Sequence, residues 1–133
     1  MTTIYRASDF CDARIGYSFA ADRETAEAYR DNPGFGGDTL FVADVELTGV
    51  LDLTESTDPW ADLAEAAGMD LDQSRYAHHF ARVLPTDDSV CEALAAAGYH
   101  WVRFRDDYPV GAETLIPVSE EAADEADGEM DET

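Results

Sequence analysis

Apolar and polar positions along this chain change period every few residues, and the changes mark out short elements. Alternation over residues 2–6 predicts a first strand, and residues 16–20 predict a second short extended piece. Asp22 is a natural N-cap for a helix over 23–30, with Ala26 and Tyr29 on one face. The run Asn32-Pro33-Gly34-Phe35-Gly36-Gly37 is a loop by composition. Residues 39–47 and 50–53 are β-rich, with Thr48-Gly49 as the turn or bulge between them. Asp58-Pro59 opens a helix that Gly68 closes. Leu71, Tyr76, Phe80 and Val83 keep helical spacing up to Pro85. Thr86-Asp87-Asp88 caps a further helix over 89–97, which Gly98 ends. Residues 99–104 and 113–118 are the last two strands, with a loop over 106–111 between them.

The order is β, β, α, β, β, then helices, then β, β. It lacks a βαβ rhythm, so a doubly wound parallel sheet is not expected. The fold class is α+β, a mostly antiparallel sheet with helices packed on it.

Composition adds two things. With 133 residues and 45% hydrophobic side chains, one globular domain with a real core is expected. No apolar run approaches the ~20 residues a bilayer needs. Residues 1–6 do not read as a secretory signal, and two cysteines do not make a disulfide framework, so a reducing, cytoplasmic setting is expected.

Charge changes the picture more. Thirty acids face eight basic residues, for a net charge of −22, and all eight bases are arginine. Eight of the acids lie in residues 119–133 with no base among them, which leaves 22 against 8 arginines in the rest. Residues 1–118 therefore read as the folded body and 119–133 as an acidic disordered tail. The body's own excess repels nucleic acid and membrane surfaces. Adaptation to a high-salt cytoplasm explains the excess with few assumptions, because screening there removes self-repulsion within a few ångströms. The rival explanation is a surface that imitates a nucleic-acid backbone.

Three segments then stand out: Ile4-Tyr5-Arg6-Ala7-Ser8; Gly16-Tyr17-Ser18-Phe19-Ala20 with Ala26 and Tyr29; and Ala112-Glu113-Thr114-Leu115-Ile116-Pro117. Their order and spacing resemble the ADP-ribosyltransferase superfamily, which includes bacterial toxins and the poly-ADP-ribose polymerases. In that pattern a first strand ends in an aromatic, an arginine or histidine, and small residues. A second motif runs glycine, any residue, Ser or Tyr, then Phe-Ala. A late strand opens with a glutamate. Gly98-Tyr99-His100-Trp101-Val102 is similar to the strand entry before that last motif. The resemblance spans residues 4–118, and residues 60–85 carry no motif of the family.

The resemblance implies split, mostly antiparallel sheets, NAD as co-substrate and transfer of ADP-ribose to a macromolecular target. Stand-alone members of this size serve as toxins and phage effectors, including anti-CRISPR proteins. Arg6 and Ala7 would meet the dinucleotide, Arg6 by its planar donors. Ser18 would hold the nicotinamide cleft or hydrogen-bond the catalytic glutamate, Phe19 would line the cleft, and Tyr29 would stack on the ring. Glu113 would stabilise positive charge building on the ribose, as carboxylates do in glycoside hydrolysis. No metal is required. Arginine-modifying members carry Glu or Gln two residues before that glutamate, where this chain has Gly111, so the resemblance does not extend to an arginine acceptor. Asp106 and Asp107 are nearby acids that could stand in for the missing Glu or Gln.

Plainer roles compete at every position. Arg6 could pair with any of many surface acids, Tyr29 could be core, and Glu113 could be an ordinary solvated acid. His78, His79 and His100 lack convergent zinc spacing. Cys91, inside an alanine-rich helix, reads as packing. The loop over 33–37 lacks the lysine of a P-loop. A non-catalytic acidic inhibitor of a DNA- or RNA-binding protein is the second expectation for function.

Overall fold

The computed structural model describes residues 1–32, 37–106 and 111–133. Its elements run β1 (Thr2–Ser8), β2 (Phe19–Ala20), α1 (Arg23–Asp31), β3 (Thr39–Val45), β4 (Val50–Asp52), α2 (Pro59–Ala67), α3 (Val83–Thr86), α4 (Asp88–Ala96), β5 (Trp101–Arg105), β6 (Glu113–Pro117), α5 (Glu120–Glu129) and β7 (Asp131–Glu132). The fold is α+β. One open sheet carries all seven strands in the order β4-β5-β6-β2-β1-β3-β7, antiparallel throughout except for β4 beside β5. No helix among the described residues is long and apolar enough to cross a membrane.

The sheet is narrow at its middle. β2 has two residues, and among the described residues it alone joins the halves, pairing Ala20 with Tyr5 on one side and Phe19 and Ala20 with Leu115 and Thr114 on the other. Where two separate sheets were expected, a single sheet pinched at β2 is found. Arg14 and Gly16 begin the turn before it, and Gly16 N–H donates to the Pro117 carbonyl at 2.9 Å, so only the last two residues of the expected 16–20 strand form β2, and of these Ala20 alone pairs with both neighbours.

Strand alternation sorts the side chains between the two faces. Val102, Phe104 and Ile116 enter a core with α2, α3 and α4 through Leu63, Val83, Leu84, Val90 and Leu94. On the opposite face Ile4, Phe19, Phe41, Val45, Trp101 and Leu115 are covered by Ala122, Ala126 and Met130. Phe19 meets Trp101 edge-on, with ring centroids 6.4 Å apart.

Two expectations are corrected. Residues 119–133 are not a disordered tail. Ser119 caps α5 by accepting the Ala122 N–H at 3.2 Å, and Ala122, Ala123, Ala126 and Met130 are buried against the sheet. β7 then adds an acidic edge strand to β3, and charge on an edge discourages further strand pairing. Residues 71–83 do not form one helix. Two 3₁₀ turns, Gln73–Tyr76 and Phe80–Arg82, are separated by Ala77 and His78 at φ 53° and 60°. A left-handed pair cannot sit inside a right-handed helix.

The loop expected over 32–37 lies mostly outside the described residues, but Gly37 is described and has no room for a side chain. A Cβ there would stand 2.0 Å from the Ser8 carbonyl carbon and 2.1 Å from the Asp9 nitrogen. Both are backbone atoms at the end of β1, so neither can swing aside. Gly37→Ala is expected to cost at least about 3 kcal/mol. Urea denaturation would read this as a lower midpoint with unchanged slope, and a variant as stable as the parent would contradict the packing at β1.

Candidate functional site

A cleft opens where β2 pinches the sheet. β1 contributes Tyr5, Arg6 and Ala7, the β2 segment Ser18, Phe19 and Ala20, and α1 Ala26 and Tyr29; Asp106 and Thr114 close it from the β5–β6 side. Its volume is about 90 Å³.

α1 stands at the cleft for local reasons. Asp22 accepts the Thr25 N–H at 2.8 Å and so starts the helix directly after β2. Ala26 is then buried against Ala20 and Leu40, and Tyr29, nearly one turn later, faces the same side.

Arg6 is the principal charged group. Its Nη1 donates to the Ser18 carbonyl at 2.8 Å. Its guanidinium lies over the Tyr17 ring, 4.5 Å from the centroid, and 6.0 Å from that of Phe19. Its Nε is buried and, among the described residues, has no hydrogen-bond partner. Burial pulls the guanidinium pKa down from its ordinary value, against the opposing influence of Tyr17 and Asp12. The result is a fixed, half-desolvated cation with an unused donor, which favours an oxyanion or hydroxyl partner.

Five of the six residues singled out from sequence therefore line one cleft: Arg6, Ala7, Ser18, Phe19 and Tyr29. Ser18 takes part through its carbonyl, which holds Arg6 in place. Glu113 is not among the lining residues. It opens β6 one position before Thr114, and its carbonyl accepts the Ala21 N–H at 3.0 Å. Alternation puts its side chain on the sheet face of Leu115 and Phe19, which is also the face of Arg6. Two strand spacings, about 10 Å, separate β6 from β1 across β2. The Glu113 carboxylate pairs with Arg103 Nε rather than with Ser18.

From the sequence Asp106 is only a nearby acid, and Thr114 has no expected role. Thr114 was already inside the third motif, and alternation against Glu113 was the signal that it faces the opposite side. Arg103 carried no signal, because its partnership with Glu113 depends on strand register. Asp107 lies outside the described residues.

A larger cavity of about 740 Å³ lies elsewhere, between α4 and α5. Asp88, Glu92, Glu120 and Asp124 line it against the single base Arg14. Four carboxylates oppose a polyanionic ligand, so size alone does not make it the better candidate for a dinucleotide. Cys91 also borders it, with its thiol pushed up to about 12 by burial and therefore protonated and unreactive. Among the described residues no group of three or more His, Cys, Asp and Glu side chains is arranged to hold a metal ion.

No family model, curated protein or solved structure matches the chain.

Proposed function

We propose that this chain is an NAD-dependent mono-ADP-ribosyltransferase acting on a macromolecular target. The observation that carries the reading is Arg6, a half-buried cation whose Nε has no partner among the described residues, in a cleft shared with Ser18, Phe19 and Tyr29. In a chain of net charge −22, a dinucleotide needs such a local cation to approach at all.

Size limits what the cleft holds. At about 90 Å³ the cleft takes only part of a dinucleotide. The remainder of NAD lies outside the cleft, and the reading requires part of it to reach Glu113. In this arrangement Arg6 takes a phosphate or ribose oxygen, Tyr29 and Phe19 offer aromatic surface, and the Glu113 carboxylate faces the nicotinamide ribose. The bond from nicotinamide nitrogen to ribose C1′ breaks, and its electron pair leaves with nicotinamide. The acceptor nucleophile bonds to C1′ and gives up its proton. Glu113 stabilises the positive charge that builds between the two events.

The test is NAD binding and nicotinamide release by the purified protein, with mass gain on a target as the transfer readout. Arg6→Ala is expected to weaken NAD binding about 10- to 100-fold, the worth of one charge-assisted hydrogen bond. Nicotinamide release with no target present would make water the acceptor. Failure of the parent protein to bind NAD would remove the proposal.

One observation favours a second reading, a non-catalytic acidic inhibitor of a nucleic-acid-binding protein. α5 and β7 hold Glu120, Glu121, Asp124, Asp127, Glu129, Asp131 and Glu132 exposed on an ordered scaffold, not on a loose tail. That reading requires salt-sensitive binding to a basic partner with no dependence on NAD or on Arg6.

A further inference from the structure

We infer that the groove between α4 and α5 is a docking site for a short basic helix of a partner protein. The inference depends on neither functional reading, and none of its residues lines the Arg6 cleft.

Helix periodicity builds the walls. α4 presents Asp88, Cys91, Glu92 and Ala95 to the groove, and α5 presents Glu120, Ala123 and Asp124. Spacings of three and four residues put each set on one helix face. Residues 13–15 and Val118 complete the lining. The space enclosed is about 740 Å³, within the range of about 300–1,000 Å³ that ligand sites occupy.

Acids are general on this surface, so charge alone singles out nothing. The groove differs in its layering. Ile15 and Ala95 are half-buried in it, alongside buried Cys91, Val118 and Ala123. At its rim stand two pairs of exposed carboxylates, Asp88 with Glu92 on one wall and Glu120 with Asp124 on the other. Among the described residues none of the four has a cationic partner. Arg14, the single base in the lining, is 74% exposed and pairs with Asp12 at 3.5 Å. An apolar base under an unneutralised rim of one sign complements a ligand that is apolar on one side and cationic along its edges.

The rim also selects the form of that ligand. Each carboxylate pair is spaced i, i+4, about 5–6 Å at Cβ. Arginines at i and i+4 of a partner helix repeat that spacing. Their aliphatic stems cover the apolar base while the charged ends reach the rim. On α5 the acidic stripe runs on to Asp127, whose carboxylate accepts the Ala13 N–H at 2.9 Å. From Glu120 to Asp127 the stripe is about 10 Å long, two turns of helix, which favours a peptide over a single small amine.

The probe is a 14-residue peptide, amphipathic when helical, with arginines spaced i, i+4 beside a leucine stripe. Its control carries glutamine at every arginine. Binding to the full chain is measured by calorimetry at physiological ionic strength without NAD. Saturable one-to-one binding of the arginine peptide is expected, at least about tenfold tighter than that of the glutamine peptide. Because the net charge of −22 attracts any cation, two double variants separate the groove from the general field. Glu92→Gln with Asp124→Asn takes one charge from each wall, beyond the first turn of each helix, so no cap is lost. It is expected to weaken binding about five- to tenfold. Glu55→Gln with Glu65→Gln removes the same charge from exposed positions outside the groove and is expected to change binding less than about twofold. Ala95→Trp fills the groove without touching a charge and is expected to abolish binding; if it does not fold, the two charge variants decide. Equal weakening by both charge variants, or full binding by folded Ala95→Trp, overturns the docking site and leaves general attraction to an acidic surface. Absence of saturable binding by the parent also overturns it. So does a groove that takes spermine in place of the peptide, since its ligand is then a small polycation.

Discussion

A chain ending at Val118 is expected to lose its cooperative fold. The removed segment looks dispensable by charge, and it is not by packing. Its departure uncovers Ile4, Phe41 and Val45, now 0%, 6% and 0% exposed, and takes Ala122, Ala126 and Met130 from the same core. Re-exposing those three large side chains costs about 5–9 kcal/mol, at about 1.5–3 kcal/mol each. That is comparable to the whole stability of a small domain, ~5–15 kcal/mol. Polar ties go as well. Asp127 accepts the Ala13 N–H at 2.9 Å, Glu125 accepts the Glu46 N–H at 2.7 Å, and Ser119 Oγ bonds His100 Nδ1 at 2.7 Å. One effect opposes these losses, since eight acids leave with the segment. Their mutual repulsion is screened beyond about 8 Å at physiological salt, so relief of charge is the smaller term. Circular dichroism and a thermal melt decide the matter. A truncated chain melting within a few degrees of the full one would show that α5 is an appendage.

The same segment shows why part of the fold was hidden in the sequence. Ala122, Ala123, Ala126 and Met130 form a helical stripe, but the residues are mostly small and the acids between them dominate any local average. High charge density predicts disorder, and a stripe of alanines is too weakly apolar to outweigh it. α1, α2 and α4 were legible because their first turns announce themselves: Asp22, Asp58 and Asp87 each accept a backbone N–H of the helix that follows. β5 and β6 were legible by alternation. The break at Ala77 and His78 was not, since neither is a residue type that signals a left-handed backbone.

The candidate site divides along the same line. Arg6, Ser18, Phe19 and Tyr29 lie within 24 residues of each other on consecutive elements, so motif spacing was enough to group them. Bringing Thr114 and Asp106 beside them requires the pairing of β2 with β6, which is long-range. The choice of Arg103 over Arg105 as partner of Glu113 is a one-register matter, and a shift of one residue would send Glu113 to the opposite face.

Glu113→Gln is expected to reduce nicotinamide release by about 10²- to 10³-fold while NAD affinity stays within about threefold of the parent. The substitution keeps shape and removes charge. Ground-state NAD carries no positive charge on the reacting ribose beyond its pyridinium, so the carboxylate contributes little to binding. The transition state gathers cationic character at C1′, and the loss falls there. Folding is not the confounding factor it would be for a buried pair. Arg103, partly exposed, is hydrated once its partner becomes neutral, and Asp52 remains beside it, so the melting temperature should move only slightly. A fall in affinity equal to the fall in rate would instead mark Glu113 as a binding group, and the carboxylate would then have no part in the chemical step. Unchanged release would be more damaging. It would mean that the pairing with Arg103 is simply a surface ion pair, and that the cleft around Arg6 serves some ligand whose glycosidic bond stays intact.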